Sequence, residues 1–166
     1  MSRRILVLFA HPAYHRSRAQ RWLVRAVRDL EGVTFHDLYE AYPDFDVDVK
    51  REQALLETHD DVVLQHPFYW YSTPALVKQW IDLVLEFGWA YGDRGTALRG
   101  KRLLSAISAG GHEASYGRSG SNRDAARLLN TSGFSKPCAC ASNTAAASFH
   151  SVAAFGCDVP VPSPAQ

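Results

Sequence analysis

With 166 residues, 46% of them hydrophobic and 21% charged, the chain has the size and composition of one globular domain. A formal net charge of +1 gives no ground for expecting nucleic acid or an anionic membrane surface as a partner. No apolar run approaches the roughly 18 residues that a membrane span needs, and Cys138, Cys140 and Cys157 come late without zinc spacing, so a cytoplasmic chain without a disulfide framework or metal site is expected.

The opening residues MSRRILVLFA stop at His11-Pro12 without a small-residue cleavage site, so residues 4–9 are expected as a strand buried on both faces rather than a leader. Apolar Ala19, Leu23, Ala26, Val27 and Leu30 recur at helical spacing, which predicts a helix over residues 17–30 stopped by Gly32. Residues 33–38 alternate like a second strand, and Tyr42-Pro-Asp-Phe-Asp is turn chemistry. A polar helix over residues 50–59 leads to a third strand, VVLQ, ending at His66-Pro67. Pro74 suits the first turn of a helix running to about residue 87, with Leu76, Val77, Trp80, Ile81, Val84 and Leu85 inward and Gly88 closing it. A fourth strand, residues 101–108, ends at Gly110-Gly111.

Strands alternating with helices through short loops specify an α/β fold: an open, doubly wound parallel sheet with right-handed crossovers. Ligands of such sheets bind outside the carboxyl ends of the strands, where strand order reverses. Three unusual loops fall at those ends: HPAYHRSRAQ, HPFYWYSTP and SAGGHEASY. In the first, Ser17 stands at a helix cap, and free N–H groups there form an anion site that His11, Ser17, Arg18 and Gln20 can supplement. Plain capping by Ser17, with solvated arginines, is the alternative for that loop alone. The second crowds Phe68, Tyr69, Trp70 and Tyr71 into a connection that is normally polar surface, as the covering of a planar ligand would require. The third lets backbone approach a ligand closely at Gly110-Gly111. Neither GxGxxG nor GxxxxGK[ST] occurs. A phosphate site, an aromatic wall and a glycine gap together fit flavin mononucleotide, whose ring does the redox chemistry.

The stretches AHPAYHRSRAQ, DLYEAYPDFDVD, QHPFYWYSTPALVKQWIDLVLEFGWAYG, ALRGKRLL and SAGGHEASY carry a resemblance over residues 5–116. The chain resembles the flavodoxin-like NAD(P)H:quinone oxidoreductases, and among them it is most similar to the ancillary proteins of glutathione-regulated potassium-efflux systems. The resemblance implies strand order 2-1-3-4-5. It implies FMN, with FAD as the alternative, held by His11 and by Ser17, Arg18, Ala19 and Gln20 around the phosphate. Phe68, Tyr69, Trp70 and Tyr71 would meet the ring, and Ser108, Ala109, Gly110 and Gly111 its other edge. NAD(P)H would give hydride to the flavin and leave, and a quinone would take its place. A homodimer, docked at the inner face of the cell membrane on a potassium-efflux protein, is implied as well. Relatives commonly carry Asn in place of Gln20 and Gln in place of Tyr69. Tyr116 and His112 lie in the loop where some relatives place a Tyr and His that assist hydride transfer, and they are the candidate catalytic pair.

Residues 1–130 are thus expected as the flavin-binding domain, and residues 131–166, rich in Ala, Ser, Cys and Pro, as an atypical tail. Residues 149–155 are its candidate strand. The tail is expected to be a reading-frame artefact, because FSKPCACA, if encoded by GC-rich codons, would read two bases on as an amphipathic helix; a natural flexible terminus is the alternative. Three other functions compete with the reductase. One is a regulatory flavin-binding subunit of the efflux channel, and another is an inactive remnant. The third, a one-electron flavodoxin carrier, is disfavoured by the near-neutral balance.

Overall fold

The computed structural model describes residues 2–110, 113–116, 119–122, 148–149 and 153–156. Strand β1 (Ile5–Phe9) is followed by a 3-10 turn (Tyr14–Arg16) and helix α1 (Arg18–Val27). Then come β2 (Val33–Asp37), a one-turn helix α2 (Leu38–Ala41), α3 (Val49–Thr58), β3 (Asp61–Pro67), α4 (Ala75–Val84) and β4 (Arg102–Ala109). A four-residue helix α5 (Glu113–Tyr116) lies beyond β4. The strands pair in parallel in the order β2-β1-β3-β4, as expected, with Ile5 level with both Val33 and Asp61 and with Asp61 level with Arg102.

Two short backbone segments, β5 (Ser148–Phe149) and β6 (Ala153–Gly156), pair in parallel with β4. Two pieces therefore stand where one short strand is expected. The rest of residues 131–166, on which the reading-frame expectation falls, lies outside the described residues. Among the described residues no helix is long and apolar enough to cross a membrane.

Continuous apolar runs make the central strands buried on both faces. Leu6 and Leu8 join Leu38, Leu56, Val62, Leu64, Leu76, Val77, Trp80 and Val84 in one core. On the opposite side of β1, Phe9 stacks with Phe35 at 5.5 Å and meets Tyr14 edge-on at 5.2 Å. At the amino edge Asp61 accepts from Arg3 Nη2 at 2.7 Å and Arg102 Nη2 at 2.6 Å, clamping three segments together. The Arg102 and Arg3 guanidinium groups hold its carboxyl well below the usual carboxylate range.

Helices α1 and α4 each end about three residues short of the span their apolar pattern predicts. At the end of α1, Leu30 is exposed, and Gly32, at φ 78°, turns the chain so that its carbonyl accepts from Ile5 N–H at 2.9 Å. At the end of α4, Gln53 Nε2 donates to the Val84 carbonyl at 3.0 Å, capping a group the helix leaves unpaired. The unforeseen α2 arises because Asp37 Oδ1 accepts from the N–H groups of Tyr39 and Glu40, capping a turn where the strand pattern ran on to Leu38.

β1 has β2 on one side and β3 on the other, so strand order reverses between β1 and β3. The crevice at their carboxyl ends, after Phe9 and Pro67, is where such a sheet binds ligands.

Candidate active site

Ser17 is the N-cap of α1, and its Oγ accepts from Gln20 N–H at 3.2 Å. Arg21 N–H donates to the Ser17 carbonyl. Of the four N–H groups that open any helix without intrahelical partners, those of Arg18 and Ala19 remain uncommitted among the described residues. The Arg18 side chain is exposed beside them. His11 is buried at the same edge, and its Nδ1 accepts from Ala13 N–H at 3.0 Å. Burial pushes the His11 imidazole below its ordinary range, so the neutral ring carries its proton on Nε2 as a donor.

The aromatic loop is a two-residue hairpin. Tyr69 N–H donates to the Ser72 carbonyl at 3.1 Å, and Ser72 N–H donates back at 2.8 Å. Between them Trp70 and Tyr71 sit at φ 45° and 61°, both left-handed. That is the turn normally made by Asn-Gly, and each bulky residue there carries about 1–3 kcal/mol of strain. The hairpin throws its rings outward. Trp70 is 93% exposed, while Phe68 meets Tyr71 edge-on at 5.9 Å and Tyr69 meets His11 at 6.4 Å. A cavity of 330 Å³ is lined by Phe68, Tyr69, Trp70, Tyr71, Tyr116 and Asn122. That lies within the roughly 300–1,000 Å³ of small-ligand pockets.

The third loop joins the other two through Ser108. Its carbonyl accepts from Phe68 N–H at 2.8 Å, and its Oγ accepts from Gln20 Nε2 at 2.8 Å. Ala109 follows at the end of β4. A Cβ at Gly110 would meet no described atom within 4 Å, so the described fold does not itself demand glycine there. Gly111 and His112 lie outside the described residues.

The structure thus brings together nearly all of the described candidates and moves one. Gln20, expected among the phosphate contacts, has its amide fully buried between Ser108 Oγ and Gln65 Nε2, so its side chain lies beneath the ligand wall rather than in it. Tyr116 lines the aromatic cavity. Sequence reasoning missed Gln65 and Asn122. Gln65 had a signal, an amide inside a strand reading as buried on both faces; Asn122 had none.

The arrangement fits a flavin on its own chemistry: uncommitted N–H groups for a phosphate, an aromatic-walled cavity for a planar ring, and an unobstructed glycine. Comparison with known proteins runs the same way. Residues 3–136 match the model of a family with a flavodoxin-like fold. The general stress protein 14 of Treponema denticola, solved in complex with FMN, is 41% identical over 77% of this chain and 75% of that one, with a TM-score of 0.73. An NADPH-quinone reductase from P. pentosaceus is 32% identical over 76% and 77%, with a TM-score of 0.63. A thermophilic tryptophan halogenase from Streptomycin violaceusniger is 46% identical over 75% of this chain and 77% of that one, with a TM-score of 0.68. Fold, site and relatives agree: the chain belongs to the flavodoxin-like fold family.

Proposed function

We propose that the protein is an FMN-dependent NAD(P)H:quinone oxidoreductase. The observation that carries this reading is the meeting of three loops at the strand-order reversal, with the cavity of Phe68, Tyr69, Trp70, Tyr71 and Tyr116 joined through Ser108 to the capped start of α1. The FMN complex and the quinone reductase among its relatives support it. Bound there, FMN would supply two-electron chemistry from its ring.

The N–H groups of Arg18 and Ala19, the Arg18 guanidinium and the neutral His11 Nε2–H would hold the phosphate end. Phe68, Tyr69, Trp70 and Tyr71 would cover the ring, with Gly110 and Gly111 admitting its far edge. The open side of the cavity would take the nicotinamide and then the quinone in turn. In net terms NAD(P)H, quinone and a proton give NAD(P)+ and hydroquinone, and the Tyr116 phenol lies at the cavity wall to deliver that proton. The same reading includes a homodimer, for which exposed Phe87 and Tyr91, edge-on at 5.6 Å, offer apolar surface, and docking on a potassium-efflux protein.

The test is a visible spectrum of the protein incubated with FMN and freed of unbound ligand. A retained flavin band, bleached by NADH or NADPH without oxygen and restored by one equivalent of benzoquinone, is the expected result. A colourless protein would refute the reading. A bound flavin that neither nucleotide bleaches would favour the regulatory subunit instead.

A further inference from the structure

We infer that the Gln20 side chain is a positioning residue that couples the phosphate end of this site to its ring end, an inference that takes its ligand from the flavin reading above. The amide is fully buried, with Nε2 donating to Ser108 Oγ at 2.8 Å and Oε1 accepting from Gln65 Nε2 at 2.9 Å. These three residues lie on α1, β3 and β4, and each passes one further hydrogen bond to a ligand loop. Gln20 N–H binds the Ser17 cap at 3.2 Å, the Gln65 carbonyl accepts from Ala10 N–H at 2.9 Å, and the Ser108 carbonyl accepts from Phe68 N–H at 2.8 Å. One amide therefore stands a bond or two from the helix cap, the strand exit toward His11 and the first residue of the aromatic hairpin.

The chain of bonds has a direction. Reversing the Gln20 amide would set its N–H groups against those of Gln65, so Gln65 would have to flip and Ser108 to turn its hydroxyl. Two discrete arrangements of the same three side chains are what a coupling element needs. In the arrangement present, Ser108 Oγ accepts from Gln20 and keeps its own proton for another acceptor. An anion that settles the start of α1 selects this arrangement and with it the placement of Ser108 and Phe68. Asn is one methylene shorter than the amide that joins Ser108 and Gln65 here, so Gln20→Asn is expected to break the link.

The two ends can be titrated separately, with riboflavin as the ring and inorganic phosphate as the anion. In the unaltered protein, saturating phosphate should tighten riboflavin binding about 5-fold or more, and riboflavin should tighten phosphate equally. In Gln20→Leu and Gln20→Asn both ligands should still bind, with the mutual effect reduced to about 1-fold. Gln65→Met breaks the same link at its other end with little change of volume, and should behave alike even where Gln20→Leu fails to fold. Amide resonances of Phe68 and Gly110 should shift on phosphate addition in the unaltered protein and stay in place in the variants.

Where both ligands bind the unaltered protein, absence of any mutual effect, or its survival in the variants, would overturn the coupling. Phosphate shifts at Phe68 without riboflavin binding would leave the coupling standing and refute the flavin reading. Riboflavin binding that phosphate does not change would do the reverse.

Discussion

On one face of the sheet Glu52 is completely buried, and its carboxylate accepts from Tyr42 Oη at 2.6 Å, His36 Nε2 at 2.8 Å and Trp80 Nε1 at 2.8 Å. At the carboxyl edge, by contrast, Trp70 and Tyr71 hold left-handed backbone with their rings turned to solvent. Both regions concentrate aromatic and polar side chains. In the first, every donor finds the same acid and the knot ties β2, the residue that ends α2, α3 and α4 together. In the second, the backbone is held where bulky residues are disfavoured, and the rings gain little burial in return. A fully satisfied buried network specifies the core; strain that persists at a cavity mouth points to a ligand.

Breaking the knot should have the largest effect. Burial alone pushes the Glu52 carboxyl up, and the hydrogen bonds from His36, Tyr42 and Trp80 outweigh it, holding the group below the usual carboxylate range. Burial and the adjacent Glu52 push the Tyr42 phenol up. Glu52→Ala leaves three buried donors without an acceptor and should lower stability by about 3–5 kcal/mol, read from the urea midpoint. A loss under about 1 kcal/mol would mean that apolar packing, not the knot, holds α3 and α4.

Acid should separate the regions next. His11 and His66 are held by burial below the ordinary 6.5. A depressed group binds more protons unfolded than folded, so its contribution is complete above the unfolded value and is lost as pH falls toward the folded one. Stability should therefore be level between about pH 7 and 9 and begin to fall below about 6.5, from the carboxyl edge of the sheet. A second fall should start below about 4.5, as Glu52 and then Asp61 are protonated. Urea midpoints across this range measure both, and a midpoint that rose on acidification from neutrality would contradict the burial of the two histidines.

The smallest effect has the opposite sign. Trp70→Asn with Tyr71→Gly installs the pair that this turn prefers and should raise stability by about 1 kcal/mol while weakening flavin retention about tenfold. No gain in the thermal midpoint would show that the hairpin stores no strain. Unchanged flavin affinity would show that its rings are not the wall of the site.

Much of this was legible locally. The alternation of apolar runs with helical stripes announces the α/β sheet, because burial on two faces or on one stripe leaves a short-range pattern. The three odd loops were legible too, since aromatic rings and paired glycines are conspicuous where a surface turn belongs. The left-handed backbone at Trp70 and Tyr71 was not, because no residue-type preference predicts a bulky pair in an Asn-Gly turn.

Residue chemistry and order alone determined the sheet and which loops at its carboxyl edge to watch. Tertiary structure alone decided what the buried polar groups do. Gln20 meets Ser108 across 88 positions and Gln65 across 45, and Glu52 meets Trp80 across 28. No sequence window spans such pairs. An amide or carboxylate in an apolar run shows only that some partner must exist, and only the packing of helices on the sheet selects which one.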